Sequence, residues 1–275
     1  KEILIRHSDH YRRLRNTLRY LLGALSNFEK KEIVEYSEMP EIEKWVLDKV
    51  YKLSKKIIKF SNNYQLGDIY KEIYDFCNDD LSSFYFDIRK DTLYCSSFDS
   101  IDRRSCRTVM DILFNSICTW LAPILCFTAE EAWKTRNIEE EESVHLKEYF
   151  KPEDQWDNDS LSKKWELIRD LRLKVNNKIE EKRKEGLLGS SLEANIKLEL
   201  SKIYYEHLSN LNLSEIFICS KFELSLNDKF KKNKIEISCD KASSLKCNRC
   251  WKILDDVNED TLLCYRCTEV VENLN

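Results

Sequence analysis

Cys247, Cys250, Cys264 and Cys267 stand as two C-x-x-C pairs separated by thirteen residues, the spacing of a closed tetrahedral thiolate site. A catalytic zinc keeps one coordination position open for water or substrate. Four thiolates fill every position, so the predicted role is structural. Thiolate softness selects one zinc ion, with an iron ion in the same four-cysteine cage as the alternative. Folding of roughly the last thirty residues should depend on the metal, because unliganded thiolates repel and leave no core there.

Such a site matters for what it presents. The run Lys246-Cys247-Asn248-Arg249-Cys250-Trp251-Lys252 sets a guanidinium and an indole beside a ligand, the two side-chain types that stack on unpaired bases. The competing reading makes Trp251 the small apolar core of the knuckle. Between Lys229 and Lys252 there are seven Lys and one Arg against Glu236 and Asp240, in a chain of net charge −4. That local excess is a nucleic-acid footprint. Nearer the start, Arg12, Arg15 and Arg19, with Asn16 among them, fall at i, i+3, i+4 and i+7, so they share one helix face and are candidates to line an RNA backbone. A solvated or carboxylate-paired face is the bland alternative, and the same pair of readings applies to Arg103, Arg104 and Arg107.

Catalytic patterns are missing. The four histidines, at 7, 10, 145 and 207, form no nucleophile–base pattern with their sequence neighbours, and four glycines cannot build a G-x-G-x-x-G turn or a P-loop. No catalytic residue is predicted, and the chain is expected to perform no chemistry alone.

The elements that must position these residues are mostly helical. Only 4 Gly and 3 Pro in 275 residues argue for long helices over a turn-rich β architecture. Apolar residues recur at helical spacing over 9–28, where Ser8 or Asp9 is the expected cap, and from Pro40 through Phe60. A third helix is predicted over 66–88. A fourth runs from Ile101 to Trp133 with a bend at Pro123, followed by an acidic loop at Glu139 to Glu142. Residues 112–129 carry no charge, which reaches the lower limit for a membrane span, but Asn115, Ser116, Thr119 and Pro123 interrupt the run and favour a buried core helix. Cys77, Cys118 and Cys126 sit among apolar neighbours and read as small buried hydrophobes. Another helix is predicted over 160–185, ended by Gly186 and Gly189, and strands at 194–200, 215–218 and 234–237. The predicted architecture is mainly α: an antiparallel helical bundle over 1–150, a connecting helix and small α/β junction module over 151–240, and the zinc knuckle over 241–275. The first residues have neither an initiator Met nor a signal segment, and the odd number of scattered cysteines fits a reducing cytoplasm, so a piece of a longer cytoplasmic protein is expected.

These residues resemble the isoleucyl-tRNA synthetases, class I enzymes of bacterial type. Residues 11–23, YRRLRNTLRYLLG, look like the opening helix of that family's anticodon-binding domain, and residues 78–91, NDDLSSFYFDIRKD, look like its third-helix signature. Residues 121–131, LAPILCFTAEE, residues 143–146, SVHL, and the closing Lys-Cys-x-Arg-Cys-Trp and Leu-Cys-x-Arg-Cys match as well. The resemblance implies a bundle that grips the anticodon stem-loop of isoleucine tRNA, a junction module, and a knuckle that reaches the anticodon side. It carries Arg12, Arg15, Arg249 and Trp251 over as RNA contacts. The parent would be an ATP-using, monomeric isoleucine-tRNA ligase whose catalytic and editing domains have no counterpart here, so ATP is not bound by this chain, and neither DNA nor a membrane is a partner. The alternative is a helical interaction scaffold with a purely structural knuckle.

Overall fold

A computed structural model describes residues 2–138, 142–230 and 234–273. The chain divides into two compact units, Lys1–Leu93 with Phe98–Ser162 and Tyr94–Ser97 with Lys163–Asn275. Glu139 to Glu141 of the expected acidic loop lie outside the described residues, as do Lys231 and Lys232 of the basic run.

The first unit is helical. Helix α1 (Glu2–Ala24) turns Leu14, Leu18 and Leu21 inward. It begins well before the expected caps, and Asp9 lies inside the helix, where it pairs with Arg12 one turn on. Helix α2 (Glu41–Asn62) follows Pro40 at the cap position and buries Ile42, Val46, Val50, Leu53 and Ile57 along one stripe. The third predicted helix is longer and more varied than expected: α3 (Leu66–Asp75) passes into a π-helix (Phe76–Tyr85) and then α4 (Phe86–Cys95). The buried Glu43 carboxylate on α2 accepts from the Arg89 Nε at 2.7 Å and the Tyr85 hydroxyl at 3.1 Å, tying α2 to that continuous segment.

Helix α5 (Ile101–Leu121) packs against α1, α2, α3 and α6 (Cys126–Arg136) and is buried along most of its length. Two hydroxyls of the uncharged run are satisfied by the helix itself: Ser116 donates to the Ile112 carbonyl at 2.7 Å, and Thr119 to the Asn115 and Ser116 carbonyls at 3.0 Å. This is how an uncharged run serves as a core helix, and among the described residues no helix is long and apolar enough to cross a membrane. The expected bend at Pro123 is a full break, with α5 ending at Leu121 and a new helix starting at Cys126. Proline cannot donate its backbone nitrogen, and four residues of turn replace the helical bonds. The break leaves Cys126 exposed, contrary to its reading as a buried hydrophobe; Cys77 and Cys118 are buried.

Helix α7 (Asp159–Lys184) starts in the first unit and continues in the second. Gly186, at φ 76, closes it with the paired bonds of a Schellman turn: Leu187 N to the Lys182 carbonyl at 3.1 Å and Gly186 N to the Arg183 carbonyl at 3.0 Å. In the second unit β1 (Ala194–Leu200) is central in a sheet of order β2-β1-β3, parallel to β2 (Lys221–Leu226) and antiparallel to β3 (Ile235–Lys241). Rows such as Phe222–Ile196–Cys239 and Leu224–Leu198–Ile237 make one face apolar, while Glu223–Lys197–Ser238 lies on the other. The crossover from β1 to β2 runs through α8 (Lys202–Leu208) and α9 (Leu213–Ile216). The strand expected at 215–218 is therefore part of a helical turn: Asn212 caps it through Glu215 N at 3.3 Å, and Ile218 leaves it at φ 52. Short strands β4 (Leu245–Lys246) and β5 (Ile253–Leu254) and helix α10 (Tyr265–Glu272) complete the unit.

Candidate metal centre and nucleic-acid interface

The β4–β5 hairpin carries the first cysteine pair in its turn. Cys247 N bonds the Lys252 carbonyl at 2.9 Å and Trp251 N the Cys247 carbonyl at 2.9 Å, folding 247–252 into a tight knuckle. The second pair sits at a helix start, with Cys264 as the cap of α10 and Cys267 in its first turn, where the positive end of the helix favours thiolates. The four sulfurs are buried and all lie within 4.8 Å of one another, and Cys250 Sγ is 3.8 Å from Cys264 Sγ. Thiolates about 2.3 Å from a tetrahedral ion stand about 3.8 Å apart, so the donor set fits a four-coordinate metal ion with no place left for water. Burial alone would raise the Cys247 thiol, but backbone N–H groups of Cys250, Cys264 and Arg249 turned toward its sulfur bring it down to about 6.

The knuckle's core is the cysteines themselves with Val257, partly covered by Leu254 and Leu263. Trp251 is not in it. Its side chain is 61% exposed, and its backbone holds φ 65, a left-handed conformation that favours glycine. Arg249, between two ligands, turns inward: Nη1 donates to the Cys95 carbonyl at 2.6 Å and to Cys267 Sγ at 3.7 Å, and Nη2 to the Tyr94 carbonyl at 3.2 Å. Cys95 returns the contact, its Sγ 3.8 Å from the Arg249 carbonyl, and joins the buried cysteine cluster. This clasp had no signal in the sequence, since its halves are 154 positions apart.

In the first unit, Arg12, Arg15 and Arg19 are exposed on one face of α1. Arg12 pairs with Asp9 at 2.7 Å, and Arg15 grips both oxygens of Glu131 on α6 at 2.7 and 3.1 Å. The hydrogen bonds from Arg15 hold the Glu131 carboxyl below its ordinary range. Arg19 has no partner among the described residues. By contrast Arg103, Arg104 and Arg107 serve the fold. Arg103 Nε donates to the Leu93 carbonyl, Arg104 reaches the Lys31 and Glu32 carbonyls, and Arg107 the Ser26 carbonyl at 2.9 Å and Glu32 at 3.3 Å. A further anchor is Glu130, which accepts from the Ser143 hydroxyl at 2.8 Å and Val144 N at 3.0 Å and so fixes the 143–146 turn on α6.

A family described as the anticodon-binding domain of tRNA ligase matches residues 43–198. The chain is 42% identical over 277 residues to the isoleucine–tRNA ligase of Gluconobacter oxydans (strain 621H), covering 98% of this chain and 28% of that protein. It is 42% identical to the isoleucine–tRNA ligase of Zymomonas mobilis subsp. mobilis, covering 98% and 29%, and 37% identical to that of Caldicellulosiruptor bescii, covering 99% and 30%. The chain thus spans less than a third of the length of these relatives.

Proposed function

Since the chain belongs to the family of anticodon-binding domains of tRNA ligases, we propose that it is the part of a cytoplasmic isoleucine–tRNA ligase that holds the anticodon stem-loop of isoleucine tRNA. The observation that carries this reading is similarity to isoleucine–tRNA ligases sustained over 98% of the chain. Joining isoleucine to tRNA with ATP belongs to the remainder of such an enzyme.

Within the chain the work divides by chemistry. Arg12, Arg15 and Arg19 take the phosphates. The partners of Arg12 and Arg15 are exposed carboxylates, screened by solvent and weakly held, so a phosphate displaces Asp9 or Glu131 at little cost. Trp251 supplies a flat apolar surface for an unpaired base. Arg249 shares in RNA contact with the N–H groups that its clasp leaves over, and through the clasp it fixes the turn on which Trp251 stands. The metal is zinc, which supplies structure to the knuckle and takes no part in chemistry.

Binding of the zinc-loaded chain to an isoleucine tRNA transcript, across a salt series and against an anticodon-swapped transcript, tests the reading. Affinity should fall steeply with salt, by about −0.7 to −0.9 in log–log slope per phosphate held, with preference for the isoleucine anticodon. Trp251→Ala should weaken binding of the isoleucine transcript more than any single lysine change between 229 and 234. Binding without preference, or none, overturns anticodon recognition. Metal analysis should return one zinc per chain, and iron would replace zinc in the assignment.

A further inference from the structure

Phe127 is 93% exposed in the first turn of α6, as bare as Tyr64 at 91% in the same unit, but Phe127 stands on a helix that packs against the arginine-bearing α1. Thr128, Glu130 and Glu131 beside it on α6 are engaged. Thr128 shares a 3.0 Å hydrogen bond with the Tyr11 hydroxyl on α1, Glu130 holds the 143–146 turn, and Glu131 grips Arg15. Glu131 lies at i+4 from Phe127, on the same helical row, which places Phe127 one turn from the carboxylate that holds Arg15. Tyr11, Arg15 and Arg19 form the facing row on α1, and the pairs Tyr11–Thr128 and Arg15–Glu131 run in the same direction along the two helices. The seam therefore carries a bare phenyl ring, the half-exposed Tyr11 ring and the arginine face together.

The charge of the seam indicates what would cover the ring. Helix α1 carries Arg6, Arg12, Arg13, Arg15 and Arg19 against Glu2 and Asp9. A positive helix face beside an exposed aromatic ring is the arrangement that holds a single-stranded nucleic acid, cations tracking the backbone and the ring taking a base. An apolar protein segment would bury the ring but offer no acceptor to Arg19, which has no partner among the described residues, and no anion to compete for Arg12 and Arg15.

We infer that Phe127 is an RNA-contacting residue, a platform on which an unpaired base of a hairpin loop stacks while Arg12, Arg15 and Arg19 hold the adjoining phosphates. The inference rests on the proposed function for its RNA and adds a contact on α6, a helix from which no RNA-binding residue was drawn. Because the side chain is almost wholly exposed, removing it leaves the core untouched.

The test compares the zinc-loaded chain with Phe127→Ala and Phe127→Tyr for binding an isoleucine tRNA transcript and an uninterrupted RNA duplex of the same stem sequence, with thermal unfolding alongside. Phe127→Ala should bind the transcript about 5- to 150-fold more weakly. Phe127→Tyr should restore binding, and the duplex affinity and the melting temperature should match the parent chain. If the parent chain binds the transcript with anticodon preference and Phe127→Ala binds equally well, the inference fails while the proposed function stands. Equal weakening on the duplex, or a melting temperature that falls with affinity, removes stacking as the cause and also overturns it. If the parent chain itself shows no anticodon preference, the proposed function fails and takes this inference with it.

Discussion

Trp251 holds a left-handed backbone at φ 65 and keeps 61% of its side chain in solvent. A non-glycine residue there costs about 1–2 kcal/mol, and an exposed indole recovers little of it by packing. Stability and RNA contact should therefore separate at this position. Trp251→Gly is expected to leave the knuckle as stable or up to about 1 kcal/mol more stable, strain relief being offset by glycine's entropy in the unfolded chain. The same change should weaken tRNA binding by about 5- to 150-fold. Chemical unfolding with metal present, set beside a binding titration, reads both. A clear loss of stability would return Trp251 to the role of packing residue. The sequence left that choice open because a C-x-x-C-W run states which residue follows the ligand and says nothing of the φ it adopts. Arg249 shows the converse: its position between ligands was legible, and its inward clasp on the Tyr94 and Cys95 carbonyls was not.

At the scale of elements, the Glu43–Arg89 pair joins α2 to the α3–π–α4 segment with both side chains buried. Removing one partner of a buried pair strands the other charge, whereas replacing both with apolar residues of similar volume is often nearly neutral. Glu43→Ala should thus cost about 3–5 kcal/mol in urea unfolding, and Glu43→Met with Arg89→Met far less. Additive losses in the double variant would show that the pair contributes through packing alone. The helices themselves were readable, because Leu14, Leu18 and Leu21, or Ile42, Val46 and Val50, repeat at the spacing that one buried face demands. The π stretch was not, since no proline or glycine marks residues 76–85 and its register is set by contacts remote in sequence such as Tyr85 to Glu43. Residues 215–218 failed as a strand because β-branched and aromatic side chains also suit a short capped turn, and the alternating 221–226 run that does form β2 lies just beyond it.

Over the whole molecule, the two units differ in what holds them. The first buries Trp45, Trp120, Tyr85 and Phe114 with long rows of Leu, Ile and Val, a core sufficient for itself. The end of the second is held otherwise: the cluster at its centre is Val257 with five cysteines, four of them the proposed ligands, and only Ile253 and Val270 add buried apolar side chains over 245–273. Apolar burial there is small, so the segment is expected to need a metal ion on the four thiolates to order it. Stripping the metal with a chelator should abolish amide-exchange protection over 245–273 and at Tyr94–Ser97, which Arg249 holds, while α2 and α5 stay protected and most far-UV helical signal persists. Re-adding zinc should restore the lost protection. Protection that survives chelation at 245–273 would mean that the hairpin and α10 fold on their own contacts, and the four thiols would then be a site for metal without being the reason the segment folds.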